Sequence, residues 1–352
     1  MGFSDRILGK KSVNGGPHIE SVSPELALAG GEIRIAGSGL RAQQWQRPRV
    51  RFGDVEGGVV VGSDAFVVAR VPEGAVSGPV VVSSDGHVSN AQTVKLAVPI
   101  AENLHPVTSP AIDAQGSIYA TFSGSRGQKV PVAIFKIDTN YTMKPFVTEM
   151  MNATAIAFDP QGLMYVSSRH DGAVYRVSPN GAIGTYAEGM GVATGIAFDR
   201  NHNLYVGDRS GTIFKIGRDQ QVFVFATLEP SVSAYHLAFG PQGDLFVTGP
   251  TTSSFDSVHR IDPQGTVHTF YRGLGRPQGL AFDSAGNLYV AASLSGRRGI
   301  VKLTPDARAT LEVAGPGLVG LAFAPGRSVI VATTDGVQHL SWNIAGLPLL
   351  PE

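Results

Sequence analysis

At 352 residues the chain is long enough for two or three domains, and with 43% apolar residues it can bury a substantial core. Its 28 basic side chains balance 28 acidic ones, so no bulk charge draws it to nucleic acid or an anionic surface. The absence of cysteine excludes disulfides and thiolate metal sites. Charged residues are scarce at 16%, while 44 Gly and 22 Pro point to many turns and few polar helices.

Residues 1–17, MGFSDRILGKKSVNGGP, read as a disordered leader with a small basic tail at Lys10 and Lys11. They hold no apolar run long enough for a signal peptide. No later stretch approaches the roughly 18 apolar residues of a membrane span. The chain as written is therefore expected in the cytoplasm, and a truncated N-terminus would leave an extracellular or periplasmic place open.

From residue 18 to 98 the pattern is all strand. Period-2 alternation in EIRIAG and FVVARV describes strands with one buried face. Ser23-Pro24, Gly30-Gly31, IAGSGL, VRFGD, ARVPEGAVSGPVVV and Ser89-Asn90 resemble the IPT/TIG family of immunoglobulin-like domains, which implies a β-sandwich here. Some relatives bind DNA, and RAQQWQRPRVRF is a basic-aromatic run. The same segment carries Glu20, Glu25, Glu32, Asp54, Glu56, Asp64, Glu73 and Asp85, so no nucleic-acid partner is expected.

Beyond residue 99 the sequence repeats itself. AIAFDPQGLMYVSS, GIAFDRNHNLYVGD, HLAFGPQGDLFVTG, GLAFDSAGNLYVAAS and GLAFAPGRSVIVAT are versions of one phrase, with a looser copy in PAIDAQGSIYATFS. Its reference positions are Ile112, Phe158, Phe198, Phe239, Phe282 and Phe323, at intervals of 46, 40, 41, 43 and 41 residues. Each phrase is two short apolar runs about a polar turn, followed by a third run such as AVYRVS or TIFKIG and an outer fourth such as HTFYRG. Four short strands per 40-odd residues make one propeller blade. Phe and the small residue before it are expected to pack between blades, with Asp and Gly forming the turn.

These phrases resemble the NHL-type six-bladed β-propellers, related in fold to the SMP-30/gluconolactonase group. The expected fold is all-β: an Ig-like sandwich over 18–98, a six-bladed propeller over 99–343 and a C-terminal tail over 344–352. TFYRGLGRPQGLAFD aligns with PIAENLHPVTSPAID, so residues 99–104 are expected as the outer strand of the last blade, closing the ring.

In such a ring the inner strands start, and the second strands end, on one rim, the expected ligand face. Candidates there are Arg126, Arg169, His170, Asp208, Arg209, Tyr235, His236, Arg276 and Gln278, with Arg297 and Arg298 on a further loop. Guanidinium forks suit carboxylates and phosphates, so the arginines point to a small anionic molecule; a carbohydrate or a protein also fits the rim. The gluconolactonase group binds a divalent ion with carboxylate and Asn oxygens. Here Ser109-Pro110 stands where that group has Glu, and Thr154, Thr194 and Gln278 stand where it has Asn. Asp208 is the one acidic candidate and reads as a salt bridge to Arg209, so no metal and no cofactor is expected. Tyr235 and His236 are the most reactive-looking pair. Adjacent strand residues face opposite ways, so one is expected on the channel and the other against a blade. The reading is a non-enzymatic binding or scaffolding protein, with a gluconolactonase-like hydrolase or propeller lyase on the same face as the alternative.

Overall fold

The structure, a computed structural model, describes residues 16–42, 46–122, 124 and 128–347, and every regular element among them is a strand. Most of the leader, Arg126 and the last five residues lie outside the described residues.

The N-terminal part is built from short antiparallel pairs. His18–Ser23 pairs with Glu32–Ser38, which pairs with Phe66–Arg70. Arg49–Phe52 lies between Val55–Gly62 and Gly78–Ser84. Alternate side chains of these strands, among them Ile33, Ile35, Val50, Phe52, Val67 and Val82, meet in one buried cluster. Period-2 alternation gives each of these strands one apolar face, and those side chains form the cluster. Asn90 ties the first strand down, since its Oδ1 accepts from Ile19 N at 2.7 Å and its Nδ2 donates to Ile19 O at 3.0 Å. Arg49 and Arg51 flank buried Val50 on the solvent side, 4.0 Å from Glu56 and 3.2 Å from Asp54.

Four-stranded antiparallel sheets then follow along the chain. The 111–147, 153–187 and 193–227 sheets each run in sequence order, and the 236–275 and 280–314 sheets repeat the pattern while joining through Leu274 and Leu294. The sheet formed by Leu318–Ala324, Ser328–Thr333 and Gly336–Ser341 takes its outer strand from Val98–Glu102, with Val98 opposite His339 and Ala101 opposite Val337. That pairing brings the start of the ring to its end in a propeller-like arrangement.

The repeated phrase packs sheet on sheet. The second-strand aromatic of each sheet meets the inner-strand Phe of the next, edge to face. Centroid distances are 5.4 Å for Tyr119–Phe158, 5.0 Å for Tyr165–Phe198, 5.1 Å for Tyr205–Phe239, 4.9 Å for Phe246–Phe282 and 5.4 Å for Tyr289–Phe323. This geometry sets a positive ring edge against a negative face. At the closing seam both aromatics give way to isoleucine, and Ile330 and Ile112 share a cluster. Gly195, Gly279 and Gly320 sit where inner strands approach most closely. A Cβ at Gly195 would strike the Tyr235 carbonyl oxygen, and one at Gly279 or Gly320 would strike Ser109.

The two parts of the chain are continuous. Leu26–Ala27 pairs in parallel both with Lys95 and Leu96 and with Val313 and Ala314 on the outer edge of the 280–314 sheet. An outer edge strand is thereby covered from within the chain.

An axial cavity as the candidate functional site

A cavity of about 840 Å³ runs along the axis of the ring. Inner-strand residues of every sheet line it, including Ile112, Ile156, Ile196, Leu237, Leu280 and Leu321. The alanines before the repeated phenylalanines, Ala157, Ala197, Ala238, Ala281 and Ala322, line it as well. Their small side chains leave the space open, so their role extends beyond packing between sheets.

The rim on which the inner strands start is knitted together. Thr108 Oγ1 donates to Thr154 O at 2.6 Å, and Ser167 Oγ donates to Thr194 O. Tyr235 N donates to Thr194 Oγ1 at 3.1 Å, and Thr248 Oγ1 donates to Gln278 O at 2.5 Å. Gly279 N donates to Val319 O at 3.0 Å, and Leu321 N donates to Ser109 Oγ at 3.3 Å. These bonds pass from each sheet to the next around the whole ring. At this end the lining residues Thr108 and His236 are buried, whereas Arg200, Asn201 and Gln242 on the hairpin-turn rim are exposed. Of the lining residues described, Arg200, Asn201 and Gln242 thus expose the cavity wall on the hairpin-turn rim, opposite the rim expected from sequence to bear the ligand.

Among the described candidates, His236 is the one that lines this cavity. It is 4% exposed, its Nε2 has no hydrogen-bond partner, and burial pushes its pKa down to about 3. The imidazole is neutral across the ordinary pH range. Tyr235 turns the other way, into a cluster with Tyr205 and Ile213, and its hydroxyl donates to Glu229 O.

The arginines do not converge on the cavity. Arg169 Nη2 donates to Gly124 O at 2.8 Å. Arg209 Nε and Nη2 donate to Ser231 O at 3.2 Å and Val232 O at 2.9 Å. Each guanidinium fastens its loop to the loop of a neighbouring sheet. Arg276 is exposed in the left-handed region at φ 47°, and His170 is exposed. Gln278 is half-buried, with Nε2 3.5 Å from Leu318 O. Arg297 belongs to the contact with the N-terminal part, its Nη2 donating to Ser23 O at 2.9 Å and Glu32 O at 3.2 Å.

The salt bridge read between Asp208 and Arg209 is not formed. Asp208 is buried, its Oδ1 accepts from Val192 N at 2.8 Å, and its Oδ2 accepts from the Ser210 hydroxyl. The carboxylate is satisfied locally while the arginine reaches for carbonyls. Among the described residues no three His, Cys, Asp or Glu side chains come together as metal ligands.

The hairpin-turn rim carries lining residues that the repeat pattern does not single out. Arg200, Asn201, Lys215, Gln242, Asp262 and Leu347 all line the cavity. The C-terminal segment is held there by Ser284 N donating to Ala345 O and Leu347 N to Phe282 O, each at 2.9 Å. One signal was available: the turn DRNHN puts an arginine where other copies have proline or serine, as in DPQG and DSAG. Arg200 Nη2 uses it to reach Pro241 O at 2.7 Å.

No protein-family model matches the sequence, and no curated protein matches it. Solved structures do. An auxiliary nutrient binding protein from Bacteroides ovatus superposes with a TM-score of 0.53 at 12% identity, over 95% of this chain and 99% of that one. A gluconolactonase from Xanthomonas campestris gives 0.57 at 15% identity, over 69% of this chain and 87% of that one. Virginiamycin B lyase from Staphylococcus aureus gives 0.51 at 14% identity, over 84% and 100%. At such identities the likeness is one of fold, and the fold is a β-propeller.

Proposed function

We propose that this chain is a binding protein that holds a small molecule in the axial channel of a six-bladed, NHL-like propeller. Residues 99–343 form the propeller in this reading, with 99–104 as the outer strand of the last blade. Residues 18–98 are an Ig-like accessory domain of the IPT/TIG kind. The observation that carries the reading is the channel: about 840 Å³ and walled by aliphatic side chains from every inner strand. Ligand pockets are typically concave, mostly apolar and of roughly 300–1,000 Å³. The ligand sits in the channel rather than among the arginines, because Arg169 and Arg209 are already engaged by carbonyl oxygens. The nutrient binding protein that matches nearly the full length of this chain supports a binding role for the same arrangement.

Calorimetry of the full chain against sugars, lactones, organic acids and apolar alcohols tests this, with Ala197→Leu as a channel-filling variant. A ligand that loses about tenfold or more in the variant, a difference of about 1.4 kcal/mol, upholds the reading. If every binder is indifferent to Ala197→Leu while the variant stays folded, the channel is not the site.

A further inference from the structure

We infer that the chain pairs with a second copy of itself along the outer strand Val222–Thr227, antiparallel and about a twofold axis at Phe223, so that two 193–227 sheets join edge to edge. The inference is independent of the axial cavity.

Among the described residues this strand is the outer edge left both bare and apolar. An edge strand presents unpaired N–H and C=O groups, and sheets blunt such edges with charge, with proline or with a covering strand. Met143–Val147 carries Lys144 and Pro145, Ile183–Ala187 offers only Gly184 and Thr185 fully to solvent, and Val267–Gly275 carries His268 and Arg272. Ala309–Ala314 is covered by Leu26–Ala27, and Gly336–Ser341 by Val98–Glu102, which itself bears Pro99. Val222–Thr227, VFVFAT, has none of these devices, and Val222, Phe223 and Val224 are 38%, 57% and 66% exposed. Successive residues of a strand face opposite sides, so both faces of this edge put apolar surface in water.

The backbone sets the register. Gly217 N donates to Gln221 O at 2.9 Å, and along an antiparallel ladder hydrogen-bonded pairs alternate with pairs that are not. Lys215–Phe223 is then a bonded pair, while Ile216–Val222 and Phe214–Val224 are not. The N–H and C=O groups of Val222 and Val224 therefore point away from the sheet, which ends at this strand. A twofold axis at Phe223 places Val222 opposite Val224 of the second copy, so all of these outward groups find partners. Phe223 meets the Phe223 of the second copy in the pair between them, where opposing side chains come closest.

Charge fits the same pairing. Arg218 and Glu229 are exposed at the two ends of the strand. Antiparallel pairing at Phe223 sets Arg218 opposite Leu228 of the second copy, beside Glu229, and the twofold axis repeats the contact. An axis at Val224 would oppose Asp219 to Glu229, and parallel pairing would put like ends together. The 28 basic and 28 acidic side chains leave no net charge to hold two copies apart.

The test is the oligomeric state of the full chain by analytical ultracentrifugation up to about 100 μM, where a dimer with a Kd of about 1 μM is mostly formed. A monomer–dimer equilibrium is expected. Val224→Lys, at an exposed position of the bare edge, should weaken it about tenfold or more, while Val76→Lys, at an exposed position of the N-terminal part, should leave it unchanged. Arg218→Glu should weaken the dimer, and adding Glu229→Arg should restore it. In wild-type protein the Val222 and Val224 amides should exchange more slowly as concentration rises.

A monomer throughout the range overturns the inference and leaves the edge to a partner other than this chain. A dimer indifferent to Val224→Lys also overturns it, by placing the contact elsewhere. Arg218→Glu without effect, or a double reversal that fails to restore the dimer, sinks the antiparallel register. Val222 and Val224 amides that exchange equally fast at low and high concentration sink the main-chain pairing. The exchange measurement uses the wild type, so a variant that fails to fold does not spare the proposal.

Discussion

The Tyr289 hydroxyl donates a 3.1 Å hydrogen bond to Oδ2 of Asp283, which opens the turn six residues earlier. Oδ1 of the same carboxylate accepts from Ala285 N at 3.0 Å and Asn287 N at 2.8 Å, and Oδ2 also accepts from Asn287 Nδ2 at 2.8 Å. The Tyr289 ring meanwhile packs on Phe323 of the next sheet. One aspartate thus shapes the hairpin and orients the aromatic that joins two sheets. Asp113–Tyr119 and Asp199–Tyr205 repeat the bond at 3.0 and 3.3 Å.

The two partners should therefore differ in weight. Tyr289→Phe loses one bond and keeps the packing, at a cost of about 1 kcal/mol. Asp283→Ala orphans two backbone N–H groups, an amide and a buried hydroxyl together, at a cost of about 3 kcal/mol. Urea denaturation midpoints measure both. Equal losses would mean that the carboxylate does not organise the turn.

Gly279 is expected to be intolerant of a single methyl group. A Cβ there meets Ser109, the Gly320 Cα at 2.5 Å and the Val319 carbonyl oxygen at 2.9 Å, much of it backbone that cannot step aside. Gly279→Ala should cost about 2 kcal/mol or more. Gly184 lies in an outer strand with nothing within 4 Å of its added Cβ, so Gly184→Ala should be neutral or slightly stabilising. Thermal melts of the pair provide the comparison, and similar melting temperatures would refute the close approach of the inner strands.

Arg297 is expected to hold the N-terminal part on the ring. Its guanidinium donates to two carbonyls of that part, and burial is the main reason its pKa is lowered. Arg297→Ala should speed proteolytic release of the N-terminal segment while leaving the ring intact, as read by limited proteolysis with mass spectrometry. A cleavage rate equal to wild type would assign the docking to the Leu26–Ala27 pairing alone.

His236 should contribute to acid sensitivity. Its pKa is near 6.5 in an unfolded chain and about 3 in the folded one. Between these values the unfolded state holds the extra proton, so stability falls as pH falls. The contribution is complete above about 6.5 and is lost toward 3, with a slope near 1.4 kcal/mol per pH unit. His259 and His339, also shifted down by burial, add to the slope with the same sign. Denaturation between about pH 6 and pH 4 should be less steep in His236→Gln than in wild type. An unchanged slope would show that His236 is not held neutral.

What the sequence determined by itself is local or periodic. Alternation in EIRIAG marks the buried Ile33 and Ile35, because side chains on a strand change face at every residue. The recurring Phe, Asp and Tyr announce a repeated hairpin, because the turn bonds span six residues or fewer. The alignment of TFYRGL with the segment after Pro99 pointed to an outer strand, and Val98–Glu102 does pair with Gly336–Ser341. The direction in which a side chain turns once several partners compete for it was not legible. Arg209 stands beside Asp208 in sequence, yet it donates to carbonyls of a loop more than 20 residues away, while Asp208 is satisfied by Val192 and Ser210. The belt of hydrogen bonds at the inner-strand starts was equally hidden, since it depends on contacts such as Leu321 to Ser109, 212 residues apart. Which hydroxyl bonds to which carbonyl, and which histidine nitrogen is left without a partner, is decided only when the ring brings those distant groups within hydrogen-bonding reach.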